Sequence, residues 1–154
     1  MGYFGRAGDA GRLTKDDMTP VNAVSSRKAG HNRITWTNDR GFKHFRLIQT
    51  DVVSTTPDGQ EIMIDTNGFD SRTTSTAIMQ AVDLFYFGRM SVANGSWYIG
   101  NVWMRSKTRE TNTLLLIRYN AGTATYEREE IAFDEKIEVK RDPKTGDLTW
   151  KSDL

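Results

Sequence analysis

The sequence predicts a mainly β or α+β domain. It should be an antiparallel sheet, or a curled barrel of short strands, with one helix packed on it over about residues 74–87. Three observations predict this. Short runs rich in β-branched and aromatic residues recur from Arg33 to Trp150, as strands do. Turn signals separate them: Asn38-Asp39-Arg40-Gly41, Pro57-Asp58-Gly59, Asn94-Gly95, Asn120-Ala121-Gly122 and Asp142–Asp147. One segment carries the helical period, with Ile78, Ala81, Val82 and Phe85 at i, i+3, i+4 and i+7.

Taken in order, residues 1–32 read as a basic, glycine-spaced arm (Gly2, Gly5, Gly8, Gly11). Glycine loses most backbone entropy on ordering, so such a segment is costly to fix. A short helix around Asp16–Val24 is interrupted by Pro20 unless that residue starts it. Residues 33–154 read as a single β-rich domain. Ile34–Thr37 forms a strand. Phe42–Thr50 returns, with Phe45 and Leu47 on one face and His44 and Arg46 on the other, and Asp51–Thr55 continues after a bend. Gln60–Asp65 turns Ile62 and Ile64 inward. Ser71, Thr73 or Thr74 caps the helix and Gly88 ends it. Arg89–Ala93 and Ser96–Met104 form a hairpin about Asn94-Gly95. Arg105–Asn112 is a loop, Leu114–Tyr119 a central apolar strand, and Thr123–Phe133 its neighbour. Glu135–Arg141 alternates, with Ile137 and Val139 inward, and Leu148–Trp150 closes the fold.

Composition excludes several kinds of chemistry. With no cysteine among 154 residues, disulfides, thiolate nucleophiles and Cys-ligated metals are ruled out. No apolar run approaches the ~18 residues of a membrane span. The net charge is +1, but it is unevenly placed. Residues 1–46 hold nine Lys/Arg against four Asp/Glu, or +5; residues 47–106 hold three against six, or −3. The small net charge argues against an overwhelmingly electrostatic partner, but the positive potential is concentrated in the first third.

The chemistry-bearing residues form no known catalytic pattern. His31 and His44 have no second histidine or carboxylate at ligand spacing. There is no nucleophile elbow and no P-loop. Glu129 and Glu130 are strand neighbours that face opposite ways. Asp51, Asp65, Asp70 and Asp83 could meet around a divalent cation, or could be turn, cap and surface residues. No catalytic residue, metal site or cofactor is expected. Two groups remain as anion or nucleic-acid contacts. Arg72, Thr73 and Thr74 follow a hydroxyl-rich loop at a helix start, where free amides suit a phosphate; the same loop also reads as a cap with Phe69 plugging the core. Arg27, Lys28, Arg33 and Lys43 are the cations around the first strand. The aromatics Trp36, Trp97, Tyr98, Trp103, Tyr119, Tyr126 and Trp150 read as core and cross-strand pairs, or as stacking platforms for bases.

The run Phe45-Arg46-Leu47-Ile48-Gln49-Thr50-Asp51-Val52-Val53, the turn Pro57-Asp58-Gly59, and Thr66-Asn67-Gly68-Phe69 followed by Arg72-Thr73-Thr74-Ser75 resemble a pattern in small tailed-phage proteins. There an R-L-x-x-T-x-V-V strand precedes a G-G-W-x-T-x-T-T-K segment, and Ser96-Trp97-Tyr98-Ile99 is similar to a later G-x-W-Y-V element. The resemblance spans residues 45–99. Asn67 and Phe69 stand where Gly and Trp are usual, and Ser75 where a lysine is usual, so a lysine-dependent role is not carried over. The resemblance implies a phage accessory protein and brings no activity with it. Joined to the charge pattern, it gives the expectation of a non-enzymatic protein that binds nucleic acid or a host nucleic-acid complex in the host cytoplasm. A virion or assembly component whose arm wraps a neighbouring subunit, in a homo-oligomer or in the virion, is the alternative. A metal-dependent hydrolase or nuclease is the third reading.

Overall fold

The computed structural model describes residues 13–85 and 95–154, and within them the chain is mainly β. A short helix α1 (Lys15–Met18) precedes five strands: β1 (Ser25–Gly30), β2 (Arg33–Thr37), β3 (Lys43–Leu47), β4 (Thr50–Thr55) and β5 (Glu61–Asp65). Helix α2 (Arg72–Leu84) follows, then β6 (Tyr98–Trp103), β7 (Asn112–Asn120), β8 (Thr125–Phe133), β9 (Lys136–Arg141) and β10 (Leu148–Ser152). All pairings are antiparallel. One sheet runs β1-β2-β3-β4-β5-β9-β10 and the other β6-β7-β8. Neither closes into a barrel.

Period-two alternation builds the large sheet. Phe45, Val53, Ile62, Ile64, Ile137 and Val139 share its inner face, paired across neighbouring strands, and are all buried. Helix α2 lies on this face over β3 and β4 and also touches β6. Its Ile78, Ala81 and Val82 are fully buried, and each contributes roughly 1.5–3 kcal/mol, somewhat less for the alanine. Ser71 caps the helix by accepting the Thr74 amide at 3.2 Å, and the described helix stops at Leu84 with Phe85 as its C-cap. The Gly88 stop and the Arg89–Asn94 half of the expected hairpin lie outside the described residues.

Helix α2 and the small sheet together make a second layer. The Ser75 hydroxyl donates to the Val102 carbonyl at 2.7 Å, covering the free edge of β6. At the other end Ser152 donates to the Ala132 carbonyl at 2.6 Å, joining β10 to β8. Asp153 accepts the amides of Asp134, Glu135 and Lys136 at 2.7, 2.8 and 2.9 Å and so fixes the turn from β8 into β9. Gly100 sits at an irregularity in β6 where a Cβ would run into the Ile117 side chain.

Two expectations change. The boundary of an arm at residue 32 does not hold for residues 13–32: β1 pairs with β2, and Met18 is fully buried with Ile34 and Trp36 on the outer face of the sheet. Residues 1–12 lie outside the described residues. The expected long strand Phe42–Thr50 is instead two strands of a hairpin, reversed at Ile48-Gln49, where Ile48 holds φ 60°. The aromatics divide: Trp36 is buried and stacks on its cross-strand neighbour His44, Tyr119 and Tyr126 form a cross-strand pair, and Trp97 packs against the core, whereas Trp150 is 37% exposed. Among the described residues no helix is long and apolar enough to cross a membrane.

Candidate functional site

The edge of the large sheet beyond α2 is where the sequence-predicted cations gather. Cross-strand pairing sets their faces. Ser25 pairs with Thr37, and Thr37 with Lys43; Arg27 pairs with Thr35, and Thr35 with the core residue Phe45. These residues therefore share the inner face. There they bound a groove of about 520 Å³ with Gln80, Leu84 and Phe85 of the helix. Its described lining holds Arg27, Lys28 and Lys43 and no acidic residue. Arg27 and Lys43 are exposed, and among the described residues neither side chain has an ion pair or hydrogen bond.

Arg33 and Lys28 are placed differently. Arg33 donates to the Gln80 Oε1 at 2.6 Å, and Gln80 Nε2 donates to the Ala29 carbonyl at 2.7 Å. Arg33 thus clasps α2 to β1 and β2 at the end of the groove. Lys28 pairs with Ile34, so its side chain belongs to the outer face, where Nζ donates to the Leu13 carbonyl at 3.0 Å. Lys28 is nonetheless among the residues that line the groove.

The helix-start group is not assembled as expected. Thr74 is buried, its amide goes to Ser71 Oγ, and its hydroxyl lies 3.1 Å from the same atom. The third amide of the helix is therefore occupied by its own cap. Thr73 is exposed. Arg72 lines a different cavity, of about 620 Å³, together with Asp70, Trp103, Arg105 and Arg109. Two of these three arginines are already matched. Arg105 meets Asp70 at 3.3 Å and Asp134 at 2.7 Å. Arg109 stacks over Trp103 at 4.6 Å and meets Glu130 at 3.5 Å. Phe69, expected as a core plug, is 57% exposed. Asn67 and Gly68 both hold positive φ, 52° and 80°, a conformation that asparagine and glycine tolerate. That is a physical reason for either residue at the first of these positions.

Around His44 the outer face carries a polar network. His44 stacks on Trp36 at 4.2 Å. Trp36 Nε1 donates to Asp51 Oδ1 at 2.8 Å, and Arg46 binds both Asp51 oxygens at 2.9 Å. His44 Nδ1 lies 2.7 Å from Ser54 Oγ, a spacing that suits a nucleophile and its base. The tautomer argues otherwise. Asn38 Oδ1 accepts the Arg40 and Phe42 amides at 2.9 and 3.0 Å. That turns Asn38 Nδ2, a donor, toward His44 Nε2 at 3.5 Å. Nε2 must then accept, and Nδ1–H must donate to Ser54. In this tautomer His44 cannot take the serine proton. Burial holds its pKa below the usual histidine value, with Asp51 opposing the shift and Arg46 adding to it.

Of the four aspartates considered as a cation site, three are held by separate partners. Asp51 is held by Arg46 and Trp36, Asp65 accepts the Asn67 amide at 2.9 Å, and Asp70 meets Arg105. Among the described residues no group of three metal-binding side chains forms.

Sequence reasoning missed Ser25, Thr35 and Thr37 as groove residues, because Ser25–Gly30 was not read as a strand. The available signal was the alternation Ser25-x-Arg27-x-Ala29 beside Thr35-x-Thr37. In comparison with known proteins, the chain matches no family model, no curated protein and no solved structure.

Proposed function

We propose that this chain is a non-enzymatic binding protein that holds the phosphate backbone of nucleic acid in the groove between α2 and the inner face of β1–β3. One observation carries the reading: Arg27 and Lys43 face one concavity whose described lining contains no acid, and neither is neutralised by a described residue. Two like charges kept on one face, without counter-charge, attract an external polyanion. Residues 25–47 hold six Lys/Arg against one acidic residue; of the six, Arg46 is matched by Asp51 on the outer face. Ser25, Thr35 and Thr37 add hydroxyl donors of the kind that position phosphate oxygens. The resemblance of residues 45–99 to small tailed-phage proteins supports a phage accessory role, on nucleic acid or on a host nucleic-acid complex.

The test is fluorescence anisotropy with labelled oligonucleotides across a salt series. Each cation on a phosphate releases a counterion, so log affinity falls linearly with log salt. The double variant Arg27→Glu/Lys43→Glu should weaken binding at least tenfold at low salt while keeping the native circular dichroism spectrum. Absence of binding by the native protein at low salt, or full affinity in the double variant, would contradict the proposal.

A further inference from the structure

The groove has a shape and a chemistry that select among nucleic acids. Its volume, about 520 Å³, falls within the roughly 300–1,000 Å³ of clefts that enclose small molecules. A duplex presents a convex cylinder, and proteins commonly read it with a helix or a ribbon that enters a groove of the DNA. Here the geometry is reversed, because Arg27 and Lys43 line a recess walled by the end of α2. That wall is apolar: Leu84 is 46% exposed, and Phe85, half-buried and packed against the core, also lines the groove. A base in a duplex is stacked on both faces and cannot offer one to a protein ring, whereas a base in a single strand can. The groove thus combines two cations without a partner among the described residues, three hydroxyl residues and one aromatic residue.

We infer that the occupant is a single strand, seated one to two nucleotides deep, with its phosphates on Arg27 and Lys43 and a base against Phe85. This rests on the nucleic-acid reading above and fails separately from it. The experiment compares one labelled 12-nucleotide strand, as DNA and as RNA, with the matched duplexes, by anisotropy across a salt series. The single strand should bind at least fivefold more tightly than its duplex. A smaller preference, or a reversed one, overturns the inference and leaves nucleic-acid binding standing; no binding to any of the four removes both. Two folded variants then divide the contacts. Arg27→Ala/Lys43→Ala should lower the slope of log affinity against log salt by about 1.4, at about 0.7 per phosphate of a single strand. Phe85→Leu keeps an apolar side chain on the core but removes the ring; it should lose threefold or more in affinity with the slope unchanged. Full affinity in Phe85→Leu, or an unchanged slope in the double alanine variant, overturns the assignment.

Discussion

Ile48 holds φ at 60°, a left-handed conformation that a β-branched side chain rarely adopts. Its amide donates to the Asn32 carbonyl at 2.8 Å, and Asn32 is itself left-handed at 56°. The turn between β3 and β4 is thus held against local preference by its neighbour. Ile48 is 44% exposed, so replacing it removes little core contact. Ile48→Asn should therefore stabilise the fold by about 1 kcal/mol, since left-handed backbone costs a branched L residue roughly that much more. A raised midpoint in urea at unchanged slope is the expected result. His44 gives a prediction in pH. Burial keeps its folded-state pKa below the ordinary value of about 6.5. The unfolded chain then binds the proton more readily, so stability rises with pH through this window. The contribution is complete above about pH 6.5 and is lost as pH falls toward the folded-state value. His44→Gln should flatten that part of a stability-against-pH curve, and an unflattened curve would place the titration elsewhere.

At the scale of elements, the segment before β2 changes its meaning most. Thr14 and Asp17 form a reciprocal capping box around α1, with bonds of 3.1 and 3.2 Å. That one turn seats Met18 against Ile34 and Trp36, while Arg46 donates to the Met18 carbonyl at 3.2 Å and Lys28 and Asn32 hold Leu13. Met18→Ala should cost about 2–3 kcal/mol by opening this small outer core. Loss under 1 kcal/mol in denaturant unfolding would show that residues 13–24 behave as an arm after all. The reason the sequence hid this is physical. Ser25–Gly30 has no branched or aromatic residue and reads as coil, yet it forms β1 because β2 offers a free edge and the two pair from Ser25 to Gly30. Met18 is a single apolar residue between Asp17 and Thr19, without periodicity around it. Elements that bury a repeated pattern were legible: α2 through Ile78, Ala81 and Val82, β9 through Ile137 and Val139, and β7 as the centre of its sheet. Of the candidate site, the identity of Arg27 and Lys43 was legible from charge clustering. The face of Lys43 followed from its alternation with Phe45, but that of Arg27 did not, because it depends on the register of β1.

The whole molecule separates its charges by place and by pairing. Around the second cavity, arginines meet carboxylates: Arg105 meets Asp70 and Asp134, and Arg109 meets Glu130. Such partly exposed pairs contribute little each, about 0–1 kcal/mol, but they leave less positive charge for a ligand. The β1–β3 groove is the opposite case, with cations kept apart from acids. Both cavities flank α2, so helix packing positions each while chain charge distinguishes them. The measurement that tests this most directly is the pattern of backbone amide shift changes in two-dimensional NMR as a short single strand is titrated at low salt. The account predicts saturable changes centred on Ser25–Ala29, Thr35–Thr37, Lys43 and Gln80–Phe85, with the outer-face residues Leu13–Met18 quiet. Changes centred instead on Arg72, Trp103, Arg105 and Arg109, or no saturable change anywhere, would contradict it.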